Sequence, residues 1–134
     1  MSQQVIRAYF ETKLSTWAAT QSPALRIAFQ NSPFTPTATE TYLETWLIPA
    51  YTKNPSVDGL HKREGGLFQV NVVAIEGKGT KASADIAQAI ASLFPVVPKD
   101  SVVSVEQTPF IMPGLPNRDG RWVTPIRIQY RLDT

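Results

Sequence analysis

Cysteine is absent from this 134-residue chain, and histidine occurs once. The first absence removes disulfides, thiolate nucleophiles and cysteine metal sites, and it fits a reducing compartment. The second leaves His61 alone beside Lys62 and Arg63. Metal centres and nucleophilic triads draw on several such groups, so His61 reads as a surface loop residue. No apolar run approaches the ~20 residues that a membrane span needs, and the amino terminus carries no signal-peptide pattern. The expectation is a soluble intracellular protein with no membrane contact.

Charge of one sign is equally scarce. Thirteen basic residues stand against 11 acidic ones, a net charge of +2, and no block of Lys or Arg occurs. Lys62, Arg63, Arg127 and Arg131 are too sparse for a nucleic-acid footprint. Charged residues make up 18% of the chain, below the roughly 25% usual for soluble domains. Such a surface leaves more area for protein contacts. The apolar fraction is 43% with three tryptophans. A single domain of this length buries roughly 65–70% of its unfolded surface and needs no staple.

Periodicity predicts a first helix capped by Ser2, with Ile6, Phe10, Leu14 and Trp17 on one face and Gln21-Ser22-Pro23 as its stop. A short strand is expected over residues 25–29. A second, over 41–48, alternates Tyr42, Glu44, Trp46 and Ile48 against Leu43, Thr45 and Leu47, with Pro49 as its end. Both of its faces are partly apolar, which fits a strand covered on both sides or standing at a subunit contact. Turn signals at Asn54-Pro55 and Asp58-Gly59 mark 50–62 as a loop. A third strand is expected over 67–75 and a second helix over 81–94, capped by Thr80 and ended by Pro95. Residues 101–107 form a strand candidate. Residues 108–120 read as a loop, and 122–132 as a final strand in which Pro125 argues for an edge position or a bulge. The fold class is α+β: helices on one face of a mainly antiparallel or mixed sheet of about five strands.

The turn Gly77-Lys78-Gly79 lies between a strand and a helix, the outline of a phosphate-binding loop. A P-loop needs Gly, four residues, then Gly-Lys-Ser/Thr, so that backbone N–H groups wrap a phosphate and the hydroxyl holds magnesium. Here Gly79 follows Lys78, and Val72 stands where the first glycine belongs. The pattern fails at both places, and the glycines serve a tight reversal. No cofactor is expected. The carboxylates are scattered, and Glu44, between Tyr42 and Trp46, reads as ion-paired or solvated. Phe110, Ile111, Met112 and Leu115 make the 109–116 loop apolar where loops are normally polar. They either pack on their own sheet or form an arm buried against a neighbour. Arg127 and Arg131 fall on the polar face of the last strand, which reads as solvated.

The order of several segments resembles the phage tail terminator-like family, proteins that close the tail tube of long-tailed bacteriophages. The residues are Thr16-Trp17-Ala18-Ala19, Asn31-Ser32-Pro33-Phe34-Thr35-Pro36, Tyr42-Leu43, the run Arg63-Glu64-Gly65-Gly66-Leu67-Phe68-Gln69-Val70-Asn71-Val72, Gly77 and Gly79 before an alanine-rich helix, and Ile128-Gln129-Tyr130-Arg131. The resemblance covers nearly the whole chain, as one tail terminator-like domain over 1–134. It implies a virion protein without catalytic residues, forming a hexameric ring at the head-proximal end of the tube. That ring would halt tube polymerisation, offer a surface to head-completion proteins and let DNA pass without specific contact. Loops 50–62 and 108–120 would carry the difference between its two ends, with Arg63 and Glu64 pairing between subunits. The other readings are a neck or head–tail completion protein of similar fold and a small nucleotide-binding enzyme.

Overall fold

A computed structural model describes residues 2–21, 24–35, 40–54, 56–75, 77, 81–96, 103–116 and 120–133, with the backbone alone for Ser2 and Gln3. The Ser2 and Thr80 caps, Pro23, Pro55, Lys78 and Gly79 therefore lie outside the described residues or side chains.

Helix α1 spans Ser2–Ala19. Its apolar residues recur four apart, so Ile6, Phe10, Leu14 and Ala18 form one buried stripe. Ala18 takes the fourth buried position, while Trp17 packs half-buried at its edge. The helix closes in a tightened turn, with Thr20 N donating to the Trp17 carbonyl at 3.0 Å and its hydroxyl to the same oxygen at 2.6 Å. Strand β1 (Arg26–Ala28) runs parallel to the start of β2 (Tyr42–Lys53). Then come β3 (Arg63–Ile75), α2 (Lys81–Ser92), β4 (Val103–Val105), β5 (Phe110–Ile111), β6 (Leu115–Pro116) and β7 (Arg121–Asp133).

The sheet order is β1-β2-β3-β7-β4, with β5 and β6 also on β7. Because β3 pairs with β7 along its whole length, β4, β5 and β6 must share the other side of β7. Seven strands thus occupy five lanes, the last lane broken into three pieces. Apart from the parallel β1–β2 pair, every pairing is antiparallel. Both helices bury their stripes in one cluster on one sheet face, with Leu43, Leu47, Phe68, Val70, Val72, Ile126, Ile128, Tyr130 and Leu132. At its centre the Phe10 ring stacks on Phe68 at 4.6 Å, with Phe94 and Tyr130 at 5.3 and 5.9 Å.

Three expectations change. Pro49 does not end β2; the strand runs on to Lys53. Leu47 N donates to Gln30 Oε1 at 2.9 Å, away from β3. Residues two apart point their backbone groups to the same side, so the donor that Pro49 lacks would also have faced that outer edge. Second, β3 begins at Arg63 rather than Leu67. The register shifts between Pro49 and Tyr51, and Gly65 and Gly66 sit opposite this bulge. A Cβ on Gly65 would meet the Tyr51 ring, and one on Gly66 would meet the Ile48 carbonyl and the Tyr130 hydroxyl. Third, Pro125 lies in an inner strand, paired with Asn71. Its carbonyl accepts from Met112 N at 2.8 Å, so its missing donor faces the broken lane, where β5 and β6 part. The 108–120 segment is consequently part sheet.

Phe10→Ala should cost about 3–5 kcal/mol, because it empties the centre of the cluster; urea unfolding measures it. Gly66→Ala should cost about 1–3 kcal/mol by overpacking against backbone. Gly65→Ala should cost less, since only the Tyr51 ring has to move; an equal loss would show that the bulge does not set the glycine requirement.

Candidate assembly interface

Alternation along the strands sends Tyr42, Glu44, Trp46 and Ile48 to the face opposite the helices. Cross-strand register orders this outer face into rows. One row is Trp46, Gln69, Arg127 and Phe110. Next to it run Glu44, Asn71 and Pro125, and then Tyr42, Val73, Val123 and Leu115. Ile48, Leu67 and Gln129 lie on the other side. A polar chain crosses the middle. Arg127 Nε donates to Gln69 Oε1 at 3.3 Å, Gln69 Nε2 to Asn71 Oδ1 at 2.9 Å, and Asn71 Nδ2 to Glu44 Oε1 at 3.4 Å. Apolar groups flank it: Trp46 and Ile48 are 45% and 44% exposed, Phe110 and Leu115 61% and 62%. A face with this much apolar area suits a protein partner.

Each end of this face is held differently. At one end Arg121, buried one row beyond Val123, donates to the Glu40 carbonyl and lies over the Tyr42 ring at 5.5 Å. Tyr42 packs on Phe34 at 5.0 Å, and Arg26 covers Phe34 at 4.5 Å while pairing with Glu40 at 3.0 Å. At the other end Asp133 receives Arg63 Nε at 2.7 Å, with Arg131 Nε at 3.1 Å from its second oxygen. The Arg131 contact lacks hydrogen-bond geometry. The Asp133 hydrogen bond and charge raise the Arg63 pKa above its ordinary value.

The residues singled out from sequence do not converge on one site. Arg63 belongs to the outer face, whereas Glu64, one residue on, points to the helix-covered face beside Tyr130. Burial, and then the Glu64 charge, push the Tyr130 hydroxyl pKa up. His61 and Lys62 are exposed where the β2–β3 hairpin enters β3. Phe110 and Arg127 pair on the outer face with Leu115 two rows away, Met112 is half-buried, and Ile111 turns inward onto the core. Arg131 joins the Asp133 corner. Among the described residues there is no group of three potential metal ligands, and no helix is long and apolar enough to cross a membrane.

Two apolar features escape a reading of the sequence. At the hairpin tip Val57 is fully exposed and Leu60 78% exposed. The tip is ordered by Asp58 Oδ1, which accepts from the Ser56 hydroxyl at 2.6 Å and from Leu60 N at 3.1 Å. Asx-turn chemistry made the turn legible, but not its protrusion. The second is a groove of about 960 Å³ on the helical side, lined by Val5, Tyr9, Thr12, Trp17, Leu93 and Val103. Val5, Leu93 and Val103 are distant in sequence, so only tertiary packing assembles it.

A mixed sheet covered by helices on one face, with large apolar side chains exposed on the other, defines an α+β protein. The comparisons specify it further. The family model for the phage tail terminator protein matches residues 5–130, so this chain belongs to the phage tail terminator family, a structural family of the phage tail. A solved structure with 35% sequence identity covers 98% of this chain and 96% of its own, with a TM-score of 0.79. None of the curated proteins matches.

Hydrogen bonds from Ser56 and then Leu60 lower the Asp58 pKa below its ordinary 3.8. A depressed carboxylate pKa stabilises the turn above the unfolded value, and this is lost as pH falls through the folded value. The Leu60 amide proton resonance should therefore hold its position from neutral pH to about pH 5 and move only as Asp58 protonates below 3.8. Asp58→Asn should abolish that titration.

Proposed function

We propose that this chain caps the head-proximal end of the tail tube as a homo-oligomeric ring of six copies. The ring stops tube polymerisation and presents the surface on which head-completion proteins dock. The family match over residues 5–130 carries this reading. Termination is then a matching problem. One end of the ring pairs with the last ring of tube protein, and the other must not resemble the tube, or growth would continue. The ordered hairpin tip with Val57 and Leu60 suits one of these end contacts, since it projects apolar side chains on a preformed turn. Preorganisation of this kind lowers the entropy lost on docking.

Catalysis and cofactors have no part in this function, and DNA passes through the ring without sequence-specific contact. The whole chain acts as one terminator-like domain within the virion, assembled in the host cytoplasm.

Deleting the gene from its phage should give overlong or unjoined tails under the electron microscope, restored by the gene in trans. Tails of normal, regulated length that join heads would rule the function out. Gold labelling of the protein should mark the tube end; label confined to the head portal would place it in the neck instead.

A further inference from the structure

We infer that neighbouring copies in the ring join face to groove: the outer sheet face of one protomer, led by Trp46 and Ile48, seats against the groove between α1 and the Leu93 and Val103 side chains of the next. This rests on the ring reading above and specifies the subunit contact within it. Three observations lead to it. Two stretches of the sheet margin are poorly suited to strand addition. On the β2 edge Gln30 occupies Leu47 N, and Pro49 offers no donor. The opposite lane is broken and contains Pro109, Pro113 and Pro116. The exposed apolar side chains on the sheet face and in the groove point to contact through the faces.

The two faces match in shape and chemistry. Trp46 and Ile48 stand beside each other on β2 as half-exposed projections. The groove is concave and apolar, lined by Val5, Tyr9, Trp17, Leu93 and Val103. Its volume of about 960 Å³ holds a tryptophan with a neighbouring aliphatic side chain.

Charge agrees as well. Lys13 is the one charged residue lining the groove; it lies 5.5 Å from the Tyr9 ring centre and makes no ion pair among the described residues. Glu44, next to Trp46 on the same face, receives one long bond from Asn71 and likewise makes no ion pair. Seating Trp46 in the groove brings this carboxylate toward that ammonium. The joined surfaces lie on opposite sides of the same sheet, so the contact is heterologous and repeats from copy to copy, as a ring requires.

The absence of native cysteine makes the test clean. Ile48→Cys places a thiol on the sheet face and Thr12→Cys one at the groove. Cells infected with the terminator-deleted phage co-express the two variants, and the isolated tails are treated with a short bismaleimide. The expected result is a covalent dimer joining one chain of each variant, with none in tails carrying either variant alone. Adding Trp46→Asp to the Ile48→Cys chain should remove that product, while circular dichroism shows that the doubly substituted chain is folded. Dimers from Ile48→Cys alone would mean like faces meet, and would overturn the pairing. So would tails that contain both variants yet yield no mixed dimer, and this outcome leaves the terminator function standing. Absence of the protein from tails would sink that function, and the pairing with it.

Discussion

The stack of Phe10 on Phe68 is the contact on which the rest depends. It joins the first helix to the middle of the sheet, and the same Phe10 ring meets Phe94 beyond α2 and Tyr130 on β7. One side chain therefore ties together three elements and the segment that follows α2. A stacked pair adds about 0.5–1.5 kcal/mol to what its buried area contributes. With the helices committed to one face, the other is left without a layer of its own. The apolar residues there are the counterpart of how thoroughly the inner face is satisfied.

That outer face is built to stay defined while uncovered. Its polar chain from Arg127 through Gln69 and Asn71 to Glu44 crosses three strands and fixes the side chains between the apolar flanks. Both ends are clamped by charge, through Arg121, Tyr42 and Glu40 at one and Arg63 and Asp133 at the other. A surface with preset rotamers loses less entropy when a partner arrives. The same arrangement limits indiscriminate stickiness, because any partner must satisfy a polar band as well as apolar sides.

Much of this was legible in the sequence. Four-residue spacing revealed the α1 stripe, and alternation over 42–48 marked both faces of β2 as partly apolar. The helices share one face of the sheet as expected. A proline inside a strand costs little when its missing donor would have faced a flank with no paired strand, as Pro49 and Pro125 show. Both point to a flank where no strand needs it. Gly65 and Gly66 extend β3 beyond the alternating run at 67–75 by accommodating the bulge, Tyr51 and Tyr130. Phe110 and Ile111 are too short a run to show alternation, so their pairing with β7 emerged only from the fold. The groove was invisible because α1 makes one wall and the other comes from Leu93 and Val103, far along the chain.

The broken outer lane has a consequence of another kind. Its three pieces are each fastened to β7 separately, at 103–105, 110–111 and 115–116. Between these fastenings the chain can gain or lose residues without shifting the register of β7, because loop closure changes only slowly with length. Changes in length there alter how far the fringe of the sheet stands out from the body, while the core sees nothing. The margin of the sheet is thus free to vary in shape while the rest of the fold stays as it is.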